Sequence, residues 1–142
     1  MHHISKSAIV PYSVEQMYQL VNQVDNYPEF LNWCVDASIL KQTESQITAS
    51  VKINKGAFNQ SFTTINNLTK NKRIDMQLKD GPFKSLNGAW IFTKLNDYAC
   101  KVELELDFNF SSKIVDMAIS PIFTSIANSQ LGAFVSRAKQ VY

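Results

Sequence analysis

One stretch in the last third of the chain constrains its folding most. Val102, Leu104, Leu106, Phe108 and Phe110 alternate with Glu103, Glu105 and Asp107. Successive side chains of a strand point to opposite faces, so this pattern builds a strand with one covered face and one wet face. Something must cover that apolar face, and the end of the chain supplies it. Ile122, Ile126, Leu131, Phe134, Val135, Ala138 and Val141 recur at helical spacing. A helix over 121–141 would be roughly 30 Å long, enough to cross a whole sheet. Ser112–Ile119 reads as a separate short helix. Pro121 would break a continuous one and fits the first turn of a new helix capped by Ser120.

The same alternation runs back through the middle. Ile47, Ala49, Val51 and Ile53 share one face, as do Val35, Ala37 and Ile39. Phe58, Phe62 and Leu68 mark a further strand, Ile74, Met76 and Leu78 another, and Leu86, Trp90 and Phe92 the next. The turns fall at Asn54-Lys55-Gly56, Lys70-Asn71-Lys72, Asp80-Gly81-Pro82 and Asn96-Asp97. Residues 3–10 form a first strand that Pro11 ends. Ser13 with Gln16 makes a capping box before Val14, Met17, Tyr18 and Val21. Asp25–Leu31 reads as a second short helix with Pro28 in its first turn. The order is strand, two helices, six strands, long helix. This is an α+β domain over 1–142, a curved antiparallel seven-stranded sheet around a long C-terminal helix. Twist draws such a sheet away from the helix and leaves room for an apolar cavity.

Composition excludes several function classes. Hydrophobic residues make up 45% of the 142, so disorder is not the main state. The formal net charge of +2 is too small for a strongly basic nucleic-acid binder, though not for a local patch. No apolar run reaches transmembrane length. The beginning of the chain carries neither a secretory nor a transit pattern, which reads as cytoplasmic. Cys34 and Cys100 form no CxxC pair and read as small apolar residues of a reducing compartment.

Candidate chemistry is sparse. The two histidines, His2 and His3, stand beside the initiator methionine at an end that reads as frayed. Cys34 has no internal histidine to activate it. Glu29, Asp36 and Tyr98 are the remaining acid, base or hydroxyl candidates for an enzyme. Glu103, Glu105 and Asp107 read as a solvated face. Lys52, Lys55, Lys70, Lys72, Arg73, Lys79 and Lys84 fall in the central strands and turns. They read as solvated hairpin tips or as a patch for phosphate or anionic lipid. Tyr27, Phe30 and Trp33 cluster early, and Trp90, Phe92, Phe108 and Phe123 sit at core-facing positions, where they pack the core or line a hollow.

Several words in order resemble one family over nearly the whole chain. They are Val10-Pro11-Tyr12-Ser13, Met17–Asn22, Val24–Leu31 with Trp33-Cys34, and Gln60–Thr64. Further on come Asp80–Lys84 with Leu86, Trp90 with Phe92, Leu106-Asp107-Phe108, and Ala133-Phe134 with Arg137-Ala138 and Val141-Tyr142. Asn32 stands where the family usually carries proline. The chain is similar to the coenzyme Q-binding protein and ribosome association toxin family, in the polyketide cyclase/dehydrase branch of the START-like superfamily. The resemblance implies the helix-grip fold and a hydrophobic tunnel between sheet and helix. It implies non-enzymatic binding of ubiquinone or a related lipid that supports respiration, with no required cofactor and no metal. Tyr27, Trp33, Leu86, Trp90, Phe92, Phe108, Phe123 and Leu131 are the lining this suggests, with Tyr27 and Trp33 near a mouth. The alternative is a toxin that binds the large ribosomal subunit and blocks subunit joining, through Lys52, Lys55, Lys70, Lys72, Arg73 and Lys84. A polyketide cyclase ranks third. A bacterial, cytoplasmic protein with peripheral contact to the inner membrane is the corresponding expectation of place.

Overall fold

The computed structural model describes residues 2–142. Strand β1 (His2–Val10) is followed by helix α1 (Val14–Asn22) and a 3-10 helix (Val24–Glu29). Six strands follow: β2 (Cys34–Gln42), β3 (Gln46–Lys55), β4 (Phe58–Thr69), β5 (Arg73–Asp80), β6 (Phe83–Asn96) and β7 (Ala99–Phe110). Helix α2 (Lys113–Val141) closes the chain. All seven strands form one antiparallel sheet in the order β1-β7-β6-β5-β4-β3-β2. This is the α+β sheet-and-helix arrangement that the alternation and the terminal helix predict, and the helix-grip fold that the resemblance implies.

The capping box at α1 is present, with the Ser13 side chain accepting from the Gln16 backbone and Gln16 answering at the Ser13 N–H. On β7 the alternation is complete, with every second residue from Cys100 to Phe110 buried. At Gly88 a β-carbon would lie 2.3 Å from the Glu105 carbonyl oxygen and 2.9 Å from Leu106, so only glycine lets β6 approach β7 there.

Three expectations are corrected. Pro121 does not end a helix: α2 runs 29 residues from Lys113 to Val141 straight through it. A proline removes one backbone hydrogen bond, and here the turn before it is held by other means. Ser112 caps it by accepting from Val115, and His2 grips Asp116 at 2.8 Å. Val35 does not share a face with Ala37 and Ile39. A bulge between Cys34 and Asp36 turns Val35 outward, 50% exposed, and Cys34 takes the buried place. His2 and His3 are not frayed. They pair in register with Phe108 and Asp107, and His3 sits between Asp107 (2.7 Å) and Glu105 (3.2 Å). The carboxylate row that reads as a bare solvated face therefore fastens the edge strand.

Candidate functional site

Between the concave face of the sheet and α2 lies an apolar cavity of about 120 Å³. Its floor is built by β3 and β4, whose registered pairs Ala49–Thr64 and Val51–Phe62 present mostly small side chains inward. Met76, Leu86, Trp90, Leu104 and Leu106 continue the wall along β5, β6 and β7. Helix α2 lays Phe123, Ile126, Ala127 and Gln130 over it, a single face at the three- and four-residue spacing of a helix. Tyr27 and Trp33 close the near side. The hollow has a physical cause: Ala49 and Thr64 on the sheet face Ala127 on the helix, and none of the three is long enough to fill the gap.

Of the eight lining residues suggested by resemblance, Tyr27, Trp33, Leu86, Trp90 and Phe123 stand on the cavity wall. Phe92, Phe108 and Leu131 are buried elsewhere. Phe92 packs edge-on against Tyr18 at 5.7 Å, under α1. Phe108 lies among Phe83, Phe110 and Phe123 at the other end, with His2 stacked on it at 4.9 Å. Leu131 follows Gln130 on the helix and so turns about 100° away from it, into the cluster around Phe134.

Sequence reasoning missed the polar lining: Thr64, Asn66 and Gln130. The signal was there in spacing. Thr64 and Asn66 complete the alternation from Phe62 to Leu68, and Gln130 lies three residues beyond Ala127 on the covered helix face. Asn66 is buried, and its Oδ1 accepts from the Thr64 hydroxyl at 2.9 Å. Gln130 Oε1 is buried with no hydrogen-bond partner among the described residues. Tyr27 is already engaged, since its hydroxyl donates to the Val21 carbonyl, and burial raises its pKa above the ordinary phenol value. Phe134 meets Tyr27, Phe30 and Trp90 at ring distances of 5.2–5.3 Å, and Arg137 lies over Phe30 while binding Glu29 at 2.9 Å.

The thiols are held in their neutral form. Burial pushes Cys34 up to about 11, and Cys34 Sγ donates to the Asp36 carbonyl at 3.4 Å. Burial pushes Cys100 to about 11 as well. A protonated thiol is a poor nucleophile and a poor metal ligand.

The basic residues do not form one patch. Lys52, Lys55, Lys79 and Lys84 lie toward the β3–β4 and β5–β6 hairpins, whereas Lys70, Lys72 and Arg73 lie at the β4–β5 hairpin. Strand β4 separates Lys55 from Lys70 by about 37 Å at 3.4 Å per residue, and the shorter β5 separates Arg73 from the β5–β6 turn by about 24 Å. Arg73 is bound to Asp75 at 2.8 Å. At the first group Lys55 reaches Ser125 of α2 at 3.2 Å. The opening turns of α2 leave Ile114 and Met117 exposed. Among the described residues no helix is long and apolar enough to cross a membrane.

The family described as polyketide cyclase / dehydrase and lipid transport matches residues 10–135. Over 142 residues the chain is 49% identical to "Ribosome association toxin RatA" of Escherichia coli, covering 100% of this chain and 90% of that protein. It is 24% identical over 135 residues to "Coenzyme Q-binding protein COQ10, mitochondrial" of Dictyostelium discoideum, covering 92% of this chain and 66% of that protein. Among solved structures, the Zhui aromatase/cyclase of a Streptomyces species superposes with a TM-score of 0.86 at 12% identity, over 98% of this chain and 94% of that one. A START superfamily protein of Mycobacterium smegmatis superposes with 0.84 at 18% identity, over 100% of both chains. At these identities the two structures share the fold.

Proposed function

We propose that this chain, which belongs to the polyketide cyclase / dehydrase and lipid transport family and to its ribosome association toxin branch, binds the large ribosomal subunit and hinders subunit joining. The observation that carries this reading is identity of 49% sustained along the whole chain to a protein named for ribosome association. The surface supports it. Lysine ammoniums at hairpin tips are suited to phosphate oxygens, and such contacts weaken with salt because each one releases counterions held by the phosphates. Lys55, Lys79 and Lys84 have no carboxylate partner among the described residues, and they lie toward one end of the sheet, near the β3–β4 and β5–β6 hairpins. We assign the contact to this end rather than to the β4–β5 hairpin, where the Arg73 guanidinium is already engaged by Asp75. The test adds purified protein to separated large and small subunits and follows their joining by light scattering. Reduced joining, restored when Lys55, Lys79 and Lys84 are changed together to glutamate, is the expected result. Joining unaffected by the wild-type protein would overturn the reading.

A second reading concerns the interior and is favoured by the cavity itself. We propose that it holds an apolar small molecule without chemical conversion. An engineered apolar cavity of about 150 Å³ takes up benzene, so about 120 Å³ suits one ring-sized group. A polyprenyl tail would then extend outside it. Binding without catalysis is supported by the neutral thiols and by the two histidines of the edge strand β1, which are committed to Asp116 of α2 and Asp107 of β7. Ribosome contact and ligand burial use different parts of the molecule and are compatible.

A further inference from the structure

We infer that the cavity selects a ligand whose ring carries a hydrogen-bond donor, of the phenol or hydroquinone class, with Gln130 as the acceptor that recognises it. This rests on the reading of the cavity as a small-molecule site. Nearly all of the lining is hydrocarbon, from Val51, Met76, Leu86, Trp90 and their neighbours. Against that background one buried atom is unsatisfied: Gln130 Oε1. A buried acceptor without a partner is costly, so its retention on a cavity wall points to a partner that arrives with the ligand.

The second polar group on the wall fixes the complementary half. Thr64 donates to Asn66 Oδ1 at 2.9 Å. That bond uses the amide oxygen and leaves Asn66 Nδ2 as the donating side of the group. A hydroxyl suits such a pair, since it can donate to Gln130 Oε1 and accept from Asn66 Nδ2. A quinone carbonyl only accepts and would leave Gln130 Oε1, as it stands on the wall, unpaired, whereas the reduced hydroquinone satisfies both that oxygen and Asn66 Nδ2. Tyr27 is not the selector, because its hydroxyl is spent on the Val21 carbonyl.

The experiment uses p-cresol and toluene as matched probes, equal in shape but for the hydroxyl. Their binding to the full-length protein is titrated by NMR. In an all-hydrocarbon cavity the hydroxyl is a burden, and toluene binds better. The wild-type protein is expected to prefer p-cresol. Gln130→Leu is expected to shift the ratio of the two dissociation constants toward toluene by about tenfold or more. A wild-type preference for toluene would overturn the inference while leaving the cavity as a ligand site, and so would a ratio that Gln130→Leu leaves unchanged. Failure of both probes to bind the wild-type protein would overturn the small-molecule reading itself. The wild-type preference needs no variant, and Gln130→Met provides a second one if the leucine change does not fold.

Discussion

Two stretches of the same core, built on the same strands, are packed in opposite ways. Toward the β3–β4 hairpin the interior is solid. Phe58, Phe83, Phe108, Phe110 and Phe123 interlock there with ring distances of 4.7–6.5 Å. Midway along β3 and β4 the inward positions pass to Ala49, Val51, Thr64 and Asn66, and the core opens into the cavity. The backbone pairing is equally regular in both places, with β3 and β4 in unbroken register from Gln46–Asn67 to Lys55–Phe58. The difference is therefore one of side-chain volume, not of topology. Strand pairing maintains the sheet, and the choice of residue at each inward position decides whether the space beneath is filled or kept.

The strongest way to break the comparison is to hollow the solid end. Phe108 is fully buried. Phe108→Ala is expected to cost about 3–5 kcal/mol, read as a fall in the urea midpoint, because the surrounding rings cannot collapse into the space. A cost below about 1 kcal/mol would mean that this end is not the rigid part. The next largest effect comes from adding volume at two alanines of α2. Ala138 is fully buried in the packed cluster with Phe134, whereas Ala127 is buried on the cavity wall. Ala138→Leu should cost about 1–3 kcal/mol through overpacking. Ala127→Leu has open space to enter and should change stability by less than about 1 kcal/mol while removing p-cresol and toluene binding. Equal costs at both sites would show that the hollow closes up in solution.

The smallest effect lies at the edge. The Asp107 side chain, followed by charge from Asp107 and Glu105, raises the His3 pKa above the ordinary imidazole value. A raised folded-state pKa gives stability that is fully present below about pH 6.5 and is lost as pH rises through the raised value. An NMR titration of the His3 ring should show the raised value, and Asp107→Asn should lower it. An unchanged titration in that variant would detach His3 from the carboxylates.

Much of this was legible in the sequence because the signals were periodic. Alternation in successive segments, clearest from Val102 to Phe110, marks the strands, and the covered face of α2 marks the helix. Where the reading failed, a local feature beat the period. The bulge at Val35 shifts the alternation by one residue without any glycine or proline to announce it. Pro121 stays helical because contacts distant in sequence, among them His2 with Asp116, hold the turn before it. The hollow was hardest to see. Large apolar residues draw attention as lining, yet Phe92, Phe108 and Leu131 fill space. The cavity depends on small and polar residues, Ala49, Thr64, Ala127 and Gln130, that look unremarkable singly. Nor does sequence order reveal that Lys55 and Lys70 lie at opposite ends of one strand.

The most direct test of the account is sedimentation of the full-length protein with purified large ribosomal subunits at two salt concentrations. The account predicts co-sedimentation at about 50 mM salt and affinity reduced on the order of thirtyfold at about 200 mM, as three phosphate contacts imply. Ala127→Leu should behave as wild type, and the triple glutamate variant of Lys55, Lys79 and Lys84 should stay at the top of the gradient. Protein that remains unbound at low salt, or binding indifferent to salt and to those three lysines, would contradict it.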